Sequence, residues 1–274
     1  MPTLLDMLKA GVHFGHQKSR WHPKMEQYIF GARNSVHIIN LEKTQEELEK
    51  ALGYVKNLAS KGQVILFVGT KRQARDIIKE AAINCGMPYL VERWIGGLLT
   101  NFDEVKRRLK KYKHLKEQFA TGEIERYTKK EQLNLKKQLE KMDKYLVGLT
   151  DLEKMPDAVY IADMRTEKTA LAETERVEIP TVAVSDTNTD PTKVLYAIPA
   201  NDDAVNSIKM IADLISSAIS EGKAEWESVK IERAEAAKTA KVSVPQMNTE
   251  KTPEAKKPEA PKKERRALKK EEAI

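Results

Sequence analysis

A chain of 274 residues that is 41% hydrophobic has the length for one large domain or two small ones, and enough apolar content for a real core. Its lone cysteine, Cys85, excludes an internal disulfide, and no apolar run approaches the ~20 residues of a membrane span. The opening MPTLLDMLKAG lacks the basic and apolar regions of a signal peptide, so a cytoplasmic protein is expected. The net charge of +7 is unevenly spread. Residues 1–40, 102–150 and 227–274 carry +3, +6 and +4, and the remainder carries −6. An acidic body with three basic appendages suggests a polyanionic partner, nucleic acid above all.

In chain order, the first informative stretch is HFGHQKSRWHPKM (13–25), with three histidines in ten residues. His13 and His16 share a face if the segment is helical, a spacing zinc commonly uses. Zinc needs three or four ligands, however, and no further Cys or H-E-x-x-H pattern follows. His16, Lys18, Arg20 and Lys24 beside Trp21 suit phosphates and base faces better. SVHIINL then adds an edge element to the sheet, followed by a helix over 42–60. QVILFVG (63–69) is a short, unalternating apolar run, and a helix follows over about 72–84. Cys85 ends that helix in an apolar setting and reads as a buried, inert thiol. The loop GTKRQA (69–74) has neither the P-loop nor the dinucleotide glycine pattern, although Lys71, Arg72 and Arg75 open a helix where a phosphate can bind.

PYLVE is a second strand. In RWIGGLLTN (93–101), the glycines serve a tight path, Trp94 packs beneath, Asn101 caps the next helix and Arg93 is left for a phosphate. From 102 the pattern changes. Phe102, Val105, Leu109, Tyr112, Leu115 and Phe119 form one apolar seam, and Leu135, Leu139, Met142, Leu146 and Leu149 form another. A TG stop and a TKKE capping box at Thr128–Glu131 separate them. Two seams joined by a short turn predict an antiparallel coiled-coil hairpin over 102–149, each arm roughly 27 Å long. Seams this short are expected to bury only each other, with Lys106, Arg107 and Arg108 facing outward.

DAVYIAD (157–163), IPTVAVSD (179–186) and VLYAIPAN (194–201) resume the unalternating strands, with a helical stretch between the first two and an amphipathic one over 203–221. Such strands between helices require a parallel sheet covered on both faces, a Rossmann-like doubly wound α/β domain built from 1–101 and 150–226. Acidic residues gather at the strand ends. His16, Asp186 and Asp202 form one candidate metal set, while SDTNTDP and ANDDA read more simply as Asx turns and helix caps. Beyond Trp226 the chain is Ala, Lys, Glu and Pro with too little apolar surface to order itself, and 227–274 is read as a disordered tail, with WESVKIERAEAAKTA (226–240) as the stretch able to continue as a frayed helix.

The stretches DMLKAGVHFGHQKSRWHPKM, YIFGARNSVHIINLEKT, ILFVGTKRQA, RWIGGLLTNF, IPTVAVSDTNTDP and IPANDDA, in this order, resemble the bacterial small-subunit ribosomal protein S2 family from about Leu5 to Glu221. Ala200 stands where that family's P-G-N-D-D motif has glycine. The resemblance implies a Rossmann-like domain with an inserted coiled-coil hairpin. It also implies binding to ribosomal RNA between the head and body of the small subunit, and help in docking the largest, mRNA-recruiting neighbour protein. Neither enzymatic activity nor a cofactor is implied. By position, RNA contacts fall to His16, Lys18, Arg20, Trp21, Lys24, Arg33, Lys71, Arg72 and Arg93. Lys106, Arg107 and Arg108 join them, although a hairpin serves protein contacts equally well. The rival class is a metal-assisted enzyme working at the acidic strand ends. A P-loop, a nucleophile triad or a lysine with three carboxylates would mark it, and none is readable. A free-standing RNA-binding regulator is a third class that composition allows.

Overall fold

A computed structural model of the chain describes residues 1–242. Helix α1 (Leu4–Lys9) opens with a capping box in which Thr3 and Asp6 satisfy each other's backbone N–H groups. Strands β1 (Phe14–Gln17), β2 (Ile29–Arg33) and β3 (Val36–Ile39) follow, then α2 (Leu41–Ala59). The five strands β4 (Ile65–Val68), β5 (Tyr89–Leu90), β6 (Ala158–Ile161), β7 (Thr181–Ser185) and β8 (Tyr196–Pro199) pair in the order β5-β4-β6-β7-β8, all parallel. Helices α3 (Arg75–Asn84), α4 (Phe102–Thr121), α5 (Lys129–Leu146), α6 (Lys168–Val177) and α7 (Val205–Val242) complete the chain. This is the doubly wound α/β architecture the strand pattern predicts.

The strands are apolar without alternation because both faces are covered. Successive side chains point to opposite sides, so Ile65 and Phe67 join one core while Leu66 and Val68 join the other. The first core packs β-strand residues Tyr160, Val182, Val184 and Ile198 against Leu48 and Val55 of α2, Ile78 of α3 and Ile208, Ile211 and Ile215 of α7. Phe67 and Tyr160 meet edge to face at 5.2 Å. Ala200, buried in this core, has an ordinary backbone conformation, so no glycine is required there.

Three sequence expectations change. SVHIINL does not extend the parallel sheet: β3 is the centre of a separate antiparallel sheet, β1-β3-β2. Its β2–β3 connection is a two-residue turn with Asn34 and Ser35 both at positive φ, a local pairing that does not depend on the larger sheet. Helix α7 runs on to Val242, so 227–242 is helical rather than disordered, while 243–274 lie outside the described residues. Among the described residues no helix is long and apolar enough to cross a membrane.

The third change concerns the hairpin. The Thr128–Glu131 capping box forms as expected, whereas Asn101 occupies the N-cap position of α4 without a side-chain cap bond. The seams do not bury only each other. Val105, Leu109, Tyr112, Leu146 and Leu149 belong to the second core, beside Leu66, Val159 and Ile161. They cover the sheet face that α6 alone leaves partly bare. The Tyr112 hydroxyl donates to Asp143 at 2.5 Å and ties the two arms at that level. Removing residues 116–138 with a short glycine link should therefore keep the fold and a cooperative thermal transition. Removing 103–148 should strip the sheet face and give a molten state, since each large buried side chain lost costs about 2–5 kcal/mol. Circular dichroism melting of the two deletions distinguishes these outcomes.

Candidate nucleic-acid interface

Counting the parallel strands in chain order, the sheet runs 2-1-3-4-5, and its direction of winding reverses between β4 and β6. In open α/β sheets that crevice, outside the carboxyl ends of the strands, is where ligands bind. Here the chain fills it with its own charges. Lys71, from the loop after β4, places its Nζ 2.7 Å from Asp202, 2.8 Å from Asp203 and 3.3 Å from Asp163. Its side chain is only 16% exposed. Burial alone would lower the Lys71 pKa, but the hydrogen bonds and charges of these carboxylates raise it. Burial together with the Asp163 and Asp186 charges pushes Asp202 up to about 7, against the pull of Lys71.

A lysine with three carboxylates is the set whose absence from the sequence weighed against an enzyme, and the fold assembles it from loops far apart in the chain. Its electrostatics are those of a clasp. A lysine base or nucleophile needs a lowered pKa, and Lys71 has the opposite. The loop beside it is also engaged: Thr70 N–H donates to Glu167 at 2.7 Å, and Arg75 binds Glu92 and the Thr70 carbonyl. Four carboxylates at the crevice disfavour a phosphate cofactor. Cys85 is buried, and burial raises its thiol pKa, the reverse of activation.

His16 joins this cluster from β1, its Nδ1 3.1 Å from Asp186 and its Nε2 3.5 Å from Asp203. The bond to Asp186 raises the His16 pKa against the effect of burial. His13 and His16 do not share a helix face, because His13 lies in a turn and His16 in β1. His13 stacks on Phe14 and lines a separate groove with Leu4 and Phe30. His22 instead caps a short helical turn by accepting from Lys24 N–H. The acidic residues do cap turns as expected. Asp186 accepts from Thr187 and Asp202 N–H groups, Asp163 from Arg165 and Thr166, and Asp190 from Thr192. Asp202 itself caps nothing.

His16, Asp186 and Asp202 each offer one ligand atom within 4.8 Å of the others. One nitrogen and two oxygens fit a borderline divalent ion such as Zn²⁺ or Mn²⁺. Lys71 already neutralises Asp202 from the other side. With two extensive apolar cores holding the sheet, the free protein should melt within a few degrees of the same temperature in zinc and in chelator. A drop of ~10 °C on chelation would make the ion structural.

The remaining sequence-predicted residues fall into two groups. The antiparallel sheet is pinned on the strand ends through Thr187, whose Oγ1 and carbonyl accept from His16 and His22 N–H groups at 2.8 and 2.7 Å. At the free end of that sheet Lys18 N–H donates to Ser35 of the β2–β3 turn, Arg33 ends β2 opposite Val36, and Trp21 stacks on His37 at 5.4 Å. Arg20, next to Trp21 in the chain, borders a cleft beside Arg165. Lys18, Arg20, Trp21 and Arg33 are all exposed. Arg72 and Arg93 lie exposed at the ends of β4 and β5. Lys24, by contrast, is held by Asp190 and Thr192, each at 2.8 Å. Arg107 and Arg108 share Glu104 on an exposed helix face, a pairing worth less than ~1 kcal/mol. Lys106 is exposed beside them.

Sequence reasoning missed Glu173. Its buried carboxylate, on α6, accepts from Trp94 Nε1 at 2.8 Å and from the N–H groups of Gly97, Leu99 and Thr100 at 2.9, 3.1 and 3.3 Å. It fixes the loop that presents Arg93. Gly97, at φ +85, is the glycine this path requires, whereas Gly96 is not. Burial would raise the Glu173 pKa, but the Trp94 and backbone donors lower it. A depressed carboxylate contributes stability that is complete above its unfolded pKa of about 4.5 and is lost as pH falls through the folded value. Glu173→Gln should therefore destabilise by about 2–3 kcal/mol at pH 7 and lose less than wild type on going to pH 3.5. Urea unfolding at the two pH values measures this, and parallel losses in both proteins would contradict it.

Fold and site together define a Rossmann-like α/β protein with an inserted helical hairpin, its ligand crevice closed by internal ion pairs and its free cations displayed around the rim. The Ribosomal protein S2 family matches residues 7–222, and the chain belongs to that family. It is 49% identical over 221 residues to the small ribosomal subunit protein uS2 of Coprothermobacter proteolyticus, covering 81% of this chain and 82% of that protein. It is 46% identical over 235 residues to the uS2 of Helicobacter hepaticus, covering 86% and 89%.

Proposed function

We propose that the protein is a structural component of the small ribosomal subunit in the cytoplasm, working in translation without catalytic residues. In this reading it binds ribosomal RNA between head and body and helps seat the neighbouring protein that recruits mRNA. The observation that carries it is the exposed group Lys18, Arg20 and Arg33 around Trp21. Among the described residues none of these cations has a carboxylate partner. Arg72 and Arg93 extend the same display. Cations without internal partners, next to an aromatic face, match an RNA backbone with bases to stack. A protein neighbour is supported by the groove formed by Leu4, Leu5, Leu8 and Phe30, in which Leu5 and Phe30 are 68% and 78% exposed.

Co-sedimentation tests the assembly: a structural component remains with small subunits at high salt, whereas a free-standing regulator washes off. For the contacts, the triple variant Lys18→Ala, Arg20→Ala, Arg33→Ala should bind small-subunit ribosomal RNA more weakly. Its log–log salt slope should flatten by about 2–3, since each phosphate contact contributes ~0.7–0.9. An unchanged slope would remove these three from the interface.

A further inference from the structure

A cleft of about 690 Å³ opens beside Arg20, between the loops that follow β6 and β7. Its size is within the range of about 300–1,000 Å³ typical of small-ligand sites. The floor is apolar, formed by Met164, Leu171 and Ala172, and the rim carries Arg20, Arg165, Lys168 and Lys193. All four cations are exposed, and among the described residues none is in an ion pair. Of the two carboxylates in the lining, Asp190 is bound by Lys24 at 2.8 Å, which leaves Glu175. The cleft is thus strongly cationic above an apolar floor.

Its wall holds an unusual group. Asn188 lines the cleft, and both Nδ2 and Oδ1 are shielded from solvent without a hydrogen-bond partner. Native proteins leave few buried amides unsatisfied. A side-chain amide offers a donor and an acceptor side by side, the complement of a base edge. Cations, an apolar lining and an unsatisfied amide are the three elements needed to hold a phosphate, a base face and a base edge.

We propose that this cleft receives one unpaired nucleotide of an RNA chain, its phosphate held by the four rim cations and its base edge read by Asn188. The inference rests on the RNA-binding reading above and deepens it, from backbone contact to recognition of one base. A nucleotide in a duplex cannot supply both groups, because its edge is paired and its faces are stacked, whereas unpaired nucleotides are bound in this way. Seating the base over Met164 and Leu171, with rotation of the Asn188 side chain toward it, supplies the partners the amide lacks.

The test uses the full chain and small-subunit ribosomal RNA. Asn188→Ala should weaken binding about tenfold with the salt slope unchanged, since no phosphate contact is lost. The near-isosteric Asn188→Asp should weaken it at least as much, because it loses the amide donor and sets a negative charge against the phosphate. Arg165→Ala with Lys168→Ala should weaken binding and flatten the slope. Equal melting temperatures exclude misfolding, and the Asp variant preserves the side chain's shape should the Ala variant be destabilised. A photo-crosslinker at Ala172 should mark a single unpaired nucleotide. Wild-type affinity in both Asn188 variants, or crosslinks scattered along the RNA, would overturn the proposal while leaving the general RNA reading intact. Failure of the wild-type chain to bind this RNA would overturn both. Binding of free nucleoside monophosphates with no crosslinked RNA position would identify a soluble nucleotide as the occupant and overturn the RNA assignment.

Discussion

The Lys71 ammonium is the tie on which the arrangement of the strand ends depends. It reaches from the loop after β4 to Asp163 after β6 and to Asp202 and Asp203 after β8, tying together three loops that the parallel sheet delivers to the same edge. His16 and Asp186 extend the network to β1 and to the loop after β7. Four carboxylates so close together would repel one another in a site partly withdrawn from water. One charged lysine and a histidine of raised pKa make the cluster tolerable. Deleting one partner of such a buried arrangement leaves an uncompensated charge, so these residues are coupled to one another more tightly than to any solvent ligand.

That coupling explains how an enzyme-like fold serves as a scaffold. The crevice at the winding reversal is the usual place for a cofactor in this architecture, and here internal ion pairs occupy it. The cations that remain available have been moved outward, to the end of the antiparallel sheet and to the loops around the rim. Lys71 is turned inward and Lys24 is paired at the surface with Asp190, while Lys18, Arg20, Arg33, Arg72 and Arg93 are exposed without a carboxylate partner among the described residues. All seven looked alike in the sequence. Whether a carboxylate stands opposite each one is what distinguishes them in the fold, and a cation already paired has less to offer a phosphate.

The hairpin shows a similar division along its own length. Near its base it is part of the core, through Val105, Leu109, Tyr112 and Leu146. Farther out Leu133 is exposed and Leu135 and Leu139 are only partly covered, so the arms there lean on each other. Glu173 ties α6 to the loop that carries Arg93 and leads into the hairpin. Hairpin, loop and α6 therefore form one mechanical unit on the second face of the sheet, even though the hairpin reads in sequence as an autonomous insertion.

The sequence by itself determined the fold class and the elements of the parallel sheet and hairpin, because period and composition are local properties. The unalternating runs at 65–68, 158–161 and 181–185 announced strands buried on both faces. The spacing of three and four announced α4 and α5, and the Thr128–Glu131 box marked where the second arm begins. Long contiguous motifs carried the family resemblance in the same way. What only the tertiary structure decided is which charges meet. Lys71 and Asp202 are separated by 131 positions and pair at 2.7 Å. Glu173 finds Trp94 across 79 positions, and Asn188 is left without a partner beside cations from two other segments. Electrostatic and hydrogen-bond complementarity act through space at a few ångströms, and nothing in local spacing encodes that distance. SVHIINL and the hairpin base differ from expectation, and the carboxylates facing Lys71 and Lys24 were not legible, for this one reason: their partners lie elsewhere in the chain, and the fold alone brings them together.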